Sequence, residues 1–248
     1  MDKVVLVTGG SRGIGAACAL LAARKGWAVA VNYARNSLAA DEVVRQIRAA
    51  GGSAIAVQAD VADEAQVQTL FARVDAKLGR ITGLVNNAGV VDVAARVDAM
   101  DAARLQRMFS VNVVSAFLCA REAVKRMSTR YGGSGGTIVN LGSAAARLGS
   151  PGQYVDYAAA KAAIDTFTLG LAKEVAAEGI RVNAVRPGII DTEIHASGGQ
   201  PDRVQQLAGQ LPLGRAGTAD EVAQAVLWLL SDASSYTTGS LLDVAGGR

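Results

Sequence analysis

The chain has 248 residues, half of them hydrophobic but only 4% aromatic, and a formal net charge of +3. That length suits one large α/β domain or two small ones, and the core has to be built mainly from Ala, Val, Leu and Ile, a composition that fits parallel strands covered by helices. No basic run approaches a nucleic-acid or membrane patch, no apolar run reaches the ~18 residues of a membrane span, and no charged leader precedes the first strand, so a soluble, cytoplasmic protein is expected.

Short β-branched runs alternate with longer amphipathic segments from end to end, which argues for right-handed βαβ units and a parallel sheet. The first run, KVVLVT (3–8), leads into TGGSRGIG, Thr8 to Gly15, and then a helical pattern near 13–25. Glycines let the backbone turn tightly and approach a ligand. The helix N-terminus behind them offers free N–H groups and a positive dipole end to a pyrophosphate. The spacing runs G-x-x-x-G-x-G, from Gly9 through Gly13 to Gly15, rather than G-x-G-x-x-G.

The second strand, AVAVNY (28–33), ends VNYARN. Rossmann domains that select NAD usually carry an acid at the end of this strand for the ribose 2′-hydroxyl. Asn32 holds the position assigned to that acid, Arg35 follows, and Arg12 sits inside the glycine turn. A helical pattern near 37–50 and a third strand, SAIAVQ (53–58), come next, with Asp60-Val61 directly after. A fourth strand, GLVNN (83–87), follows the helical pattern near 63–78 and runs into NNAG, Asn86 to Gly89. Strand ends are where an open α/β sheet binds ligands, so Asp60 is a site residue or a helix N-cap, and the two asparagines are site residues or turn formers.

A long helix is expected over 101–127, carrying Asn112 and a basic cluster (Arg121, Lys125, Arg126, Arg130) near its end, where cations complement the dipole. Cys18 and Cys119, each inside an apolar helical pattern, read as reduced, buried thiols. YGGSGG (131–136) precedes the fifth strand, GTIVNL (136–141), and then comes QYVDYAAAK (153–161) at the start of a helix near 155–178. Only Tyr157 of its two tyrosines lies four residues before Lys161, which puts both side chains on one helix face, about 6 Å apart along the axis. A nearby ammonium stabilises a phenolate and helps a tyrosine exchange a proton. The chain closes with a strand at RVNAVR (181–186), a proline-rich stretch reading as a lid over 192–215, a helix near 219–231 and a last strand around SLLDV (240–244). With no linker and no repeat, one domain over 1–248 is the better reading.

TGGSRGIG, NNAG and YAAAK in this order, with Asn112 and Ser143 between the last two and PGIIDT (187–192) after them, resemble the short-chain dehydrogenase/reductase family. The resemblance covers the whole chain. It implies a single-domain, doubly wound Rossmann-type α/β fold with a mostly parallel seven-stranded sheet and helices on both faces. It also implies hydride transfer between a nicotinamide and a carbonyl or alcohol carbon. Carried over residue by residue, it makes Tyr157 the acid/base and not Tyr154. Ser143 would hydrogen-bond the reacting oxygen, Lys161 would lower the phenol's pKa and hold the nicotinamide ribose, and Asn112 would position a water linking Lys161 to solvent.

The same resemblance implies a cofactor site made of Gly9, Ser11, Arg12, Gly13, Ile14 and Gly15 in the turn, Asn32 and Arg35 after it, and Asp60 and Val61 against the adenine. Asn87, Ala88 and Gly89 would line the adenosine side, Ile190 and Thr192 would receive the nicotinamide carboxamide, and Pro187 and Gly188 would belong to the same cofactor site; no metal site is implied. NADP(H) is expected over NAD(H), because family members with an arginine at the position of Arg12 accommodate the 2′-phosphate between the first turn and the second strand. His195, the only histidine, reads as a solvated loop residue near the lid. A homotetramer acting on a small carbonyl or alcohol is expected, without nucleic-acid or membrane partners.

The nearest branches are the 3-oxoacyl-thioester reductases and glucose-dehydrogenase-like enzymes, with three departures. Ser143 and Tyr157 are fourteen apart, one more than the acyl reductases usually show, and YGGSGG lengthens the turn before the fifth strand. Glu178 occupies a place where reductases acting on acyl carrier protein tend to carry a basic residue, and it should repel an acidic carrier. A sugar 1-dehydrogenase and a nucleotide-binding redox sensor are the competing readings.

Overall fold

A computed structural model describes residues 3–248. Seven parallel strands form one sheet in the order β3-β2-β1-β4-β5-β6-β7. They are β1 (Val4–Val7), β2 (Ala28–Tyr33), β3 (Ala54–Gln58), β4 (Gly83–Asn86), β5 (Gly136–Leu141), β6 (Ile180–Pro187) and β7 (Leu241–Val244). The chain starts in the middle and winds outward both ways, so the order reverses between β1 and β4, which is where such sheets bind ligands.

Alternation along each strand builds two cores. Val5 and Val7 of β1 join Val29, Val31, Val85, Val139 and Val185 on one face, under α1 (Gly13–Arg24), α2 (Ser37–Ala49) and α10 (Ala219–Leu230). Val4 and Leu6 join Ala30, Leu84, Ile138 and Val182 on the other, under α3 (Glu64–Leu78), α5 (Ser115–Met127) and α7 (Val155–Val175). Both faces are covered, so β1 is buried at every position. Phe71 of α3 is fully buried, a contribution of about 1.5–3 kcal/mol.

The expected long helix over 101–127 is broken. It consists of α4 (Ala102–Phe109), one π turn (Ser110–Val114) and α5. The end of α5 carries Lys125 and Arg126 in its last turn, as expected, and they are paired with Glu122 and Asp75. Three short helices were not read from the sequence: α6 (Ala145–Leu148), α8 (Ile194–Ser197) and α9 (Arg203–Ala208). No helix among the described residues is long and apolar enough to cross a membrane. Cys18 and Cys119 are free and buried, and burial pushes both thiols up to about 12.

Candidate active site

The glycine turn closes over the C-terminal end of β1. Gly9 (φ +60°) and Gly13 (φ +52°) take left-handed conformations that disfavour other residues. At Gly15 the constraint is space, since a Cβ would fall 2.3 Å from the Gly9 carbonyl oxygen. Thr8, outside the expected set, ties this turn to the NNAG segment: its Oγ1 accepts from the N–H groups of Asn87 and Ala88, both at 3.0 Å. Asn87 in turn donates through Nδ2 to the carbonyls of Thr8 (2.9 Å) and Gly9 (3.0 Å). Asn86 points the other way and bonds Asn140 and the Ala116 carbonyl, a purely internal role.

Asn32 corrects the reading of the second strand. Its side chain is buried, accepts from Gly9 N–H (3.2 Å) and donates to the Val57 (3.3 Å) and Ala59 (3.0 Å) carbonyls. With its polar atoms spent on holding the glycine turn against β3, it fixes the turn's shape rather than facing a ribose. The last residue of β2 is Tyr33, one position further on. Asp60 is exposed and closes its own turn onto Ala62 N–H (2.9 Å), while Asp63 caps α3, so the N-cap reading of Asp60 falls. The Val61 side chain packs in the core and leaves only its backbone toward the strand ends.

Whether the turn suits a dinucleotide can be judged from the residues present. Arg12, at the N-cap of α1, makes no side-chain cap bond, whereas α2 and α3 are capped by Asn36 and Asp63. The leading N–H groups of α1 therefore face the strand ends uncapped, as an anion requires. Arg12 and Arg35 are both exposed, and neither side chain forms an ion pair or hydrogen bond among the described residues. The residues present fit a phosphorylated nucleotide.

Ser143, Tyr157 and Lys161 line one cleft together with Ile14, Asn87, Gly89, Pro187, Gly188, Ile190 and Thr192. Ser143 lies two residues past β5, with its Oγ accepting from Ala145 N–H at 3.1 Å. Tyr157 and Lys161 stand one turn apart on α7, the Lys161 Nζ 5.6 Å from the Tyr157 ring centroid. Lys161 donates to the Leu141 carbonyl at 2.6 Å. Asn112 sits behind the cleft in the π turn, a feature frequent at functional sites. Its Oδ1 accepts from Val90 N–H (3.1 Å), and its Nδ2 donates to the Val90 and Met108 carbonyls at 3.0 Å. A Cβ on Gly89 would fall 2.8 Å from that Oδ1 and 3.6 Å from Lys161 Nζ, so Gly89 alone separates the two side chains.

Electrostatics here depart from expectation. Burial raises the Tyr157 phenol above its ordinary value, and the neighbouring Ser143 hydroxyl works the other way. Lys161 is itself pushed down to about 8 by burial, against the opposing field of Asp165 one turn further along α7. At neutral pH both groups keep their protons, and Lys161 is the first to lose one. Asp165, unforeseen in the sequence, is held by Arg186 at 2.9 and 3.1 Å.

A second unforeseen pair aims the tyrosine. Arg104 of α4 reaches Asp156 at 2.8 Å, with the acid side chain fully enclosed, and also donates to the Val93 carbonyl at 2.7 Å. Asp156 Oδ1 accepts from Tyr157 N–H at 2.9 Å and so anchors the first turn of α7. Between Ser143 and Tyr157 the backbone turns left-handed at Gly149, Ser150 and Gly152, and Ser150 (φ +46°) is the only non-glycine of that kind among the described residues.

Tyr154, just ahead of α7, is buried in the same cleft, but its ring lies under Arg203 of α9, 5.2 Å from the guanidinium carbon. His195 is not solvated. It lines the cleft half-buried, with Nε2 2.9 Å from the Ile190 carbonyl oxygen, and burial lowers its pKa. Glu178 is engaged by Ser128.

Residues 9–248 match the family model described as "Enoyl-(Acyl carrier protein) reductase". The chain is 57% identical over 245 residues to the uncharacterized oxidoreductase YgfF of Escherichia coli (strain K12), covering 99% of each chain. It is 42% identical to a 3-oxoacyl-(acyl-carrier-protein) reductase of a Synechocystis species, covering 99% of this chain and 96% of that one. Among solved structures, a blue fluorescent protein from a metagenomic library in complex with NADPH superposes with a TM-score of 0.90 at 35% identity, covering 99% and 97% of the two chains.

Proposed function

This chain belongs to the short-chain dehydrogenase/reductase family and is an oxidoreductase acting on CH–OH or C=O groups; from that premise we propose that it is an NADP(H)-dependent carbonyl reductase and alcohol dehydrogenase. The observation that carries the reading is the grouping of Ser143, Tyr157 and Lys161 in one cleft with Ile14 of the glycine turn.

A bound nicotinamide supplies the hydride that reduces the carbonyl carbon. The protein supplies what the oxygen needs. Ser143 donates a hydrogen bond to it, and Tyr157 donates the proton as negative charge develops there. Lys161 would lower the phenol's pKa and return the proton to Tyr157, and Asn112 would position the water that links Lys161 to solvent, from which that proton comes.

Arg12 inside the turn and Arg35 just past β2, both exposed and with side chains unpaired among the described residues, are the basis for proposing NADP(H). The NADPH bound in the solved relative supports it. Asp60 and Val61 backbone groups would meet the adenine edge, and Pro187, Gly188, Ile190 and Thr192 the carboxamide. Residues 192–215 act as a lid on a single domain. A homotetramer is supported by the apolar side chains of Phe109, Val114, Phe117 and Leu169 left exposed on α4, the π turn, α5 and α7, and by Trp228 on α10. Two free, buried thiols fit the cytoplasm.

Absorbance at the reduced-nicotinamide band, with ketones, thioesters and aldoses offered under NADPH and NADH in turn, tests the proposal. Turnover of ketones with NADPH is expected. Turnover of aldoses alone with the oxidised cofactor identifies a sugar dehydrogenase, and tight cofactor binding with no turnover identifies a sensor.

A further inference from the structure

The cleft has an uneven charge. Its charged lining residues are Lys161, Arg203 and Arg248, and no Asp or Glu lines it among the described residues. Lys161 belongs to the proton path, and Arg248 is held at the rim, where its carbonyl accepts from Arg147. Arg203 has no such assignment. It sits at the start of α9, forms no ion pair among the described residues, and its one polar contact is with Gln200 beside it.

Its position is nonetheless fixed. The guanidinium stacks over the Tyr154 ring at 5.2 Å, a contact in which the ring holds the planar cation while leaving its edge free to hydrogen-bond. It is also close enough to help depress the His195 pKa. A half-buried guanidinium in the cleft lining with no counter-charge is suited to a bidentate carboxylate. The same lining carries the apolar side chains of Val91, Leu148, Ile189 and Ile194.

We infer that the substrate is an oxo acid or hydroxy acid, whose carboxylate is held by Arg203 over Tyr154 while its apolar body spans the cleft to the reacting carbon at Tyr157 and Ser143. The inference rests on the reductase reading and names the substrate class of that same site. It also gives Tyr154 a task. The second tyrosine of QYVDYAAAK carries the specificity-determining arginine and takes no part in the proton transfer.

The experiment offers the full-length enzyme and NADPH a series of aliphatic and alicyclic oxo acids of graded length, each paired with its methyl ester. The wild type should favour the acid of the best pair by about ten- to a hundredfold in kcat/KM, the range of one charge-assisted contact. Arg203→Gln should bring that ratio to about one through KM, and Arg203→Lys should restore part of it. An acid-to-ester ratio near or below one in the wild type, with turnover present, overturns the inference and leaves the reductase reading standing. An Arg203→Gln variant that slows acid and ester equally also overturns it, because that is the pattern of a merely structural arginine. Absence of Tyr157-dependent turnover on every pair and on the neutral ketones overturns the reductase reading and the inference together.

Discussion

On the floor of the cleft, Tyr157 and Lys161 project from a 21-residue helix whose first turn is bolted by the buried Arg104–Asp156 pair, and Asn112 makes bonds to two backbone segments. By contrast, α8 and α9, in the segment proposed as a lid, have four and six residues, and neither has a fully buried residue. They reach the cleft through side chains, His195 at the Ile190 carbonyl and Arg203 over the Tyr154 ring. On the proposed function, reaction type and substrate choice are housed in separate parts, one stiff and one lightly built.

The largest effect expected on that contrast comes from breaking the floor. Arg104→Ala leaves Asp156 buried without a partner, at a cost of about 3–5 kcal/mol. Calorimetry should show a Tm lower by on the order of 10 °C, and an unchanged Tm would show the pair to be idle. A substitution on the nucleotide side sharpens the comparison in another way. Arg12→Ala or Arg35→Ala should lower the NADPH-over-NADH ratio in kcat/KM by about tenfold, the low end for an exposed charge-assisted contact, with NADH kinetics and Tm unmoved.

A smaller effect is set by pH. Lys161, held at about 8, loses its proton before Tyr157 does as pH rises. The kcat/KM for carbonyl reduction should therefore fall as pH climbs through about 8, and alcohol oxidation should rise over the same window. A reduction profile flat to pH 10 would remove Lys161 from the proton path. The smallest effect belongs to the lid. A Cβ on Gly198 would press on Val91 (2.9 Å) and the Tyr154 hydroxyl (3.3 Å). Gly198→Ala should raise KM a few-fold and leave kcat alone, with stability changed by no more than ~0.5 kcal/mol. A loss in kcat as well would mean that the lid helps to set the floor.

The floor was the legible half. Short β-branched runs placed all seven strands, the glycine spacing placed the turn, and the four-residue step from Tyr157 to Lys161 put both side chains in one cleft. The π turn was invisible because SVNVV continues an apolar helical pattern and only the packing of Asn112 against Val90 shows the extra residue. Asn32 was placed on the ligand side because its inward hydrogen bonds reach residues 25 and 27 positions away. Arg104 and Asp156 are 52 apart, beyond any local pattern. His195 and Arg203 gave no signal because a short lid helix has too few turns to show a period.

The central claim is that one tyrosine of QYVDYAAAK does the chemistry and the other does not. Its most direct test is the turnover of Tyr157→Phe and Tyr154→Phe side by side with NADPH and one neutral ketone, with NADPH affinity measured for both. Tyr157→Phe should lose about 10²- to 10⁴-fold in kcat, the range of a general acid, and still bind NADPH like the wild type, while Tyr154→Phe stays within a few-fold of it. Equal losses in the two variants, or a dead Tyr154→Phe beside an active Tyr157→Phe, would contradict the account.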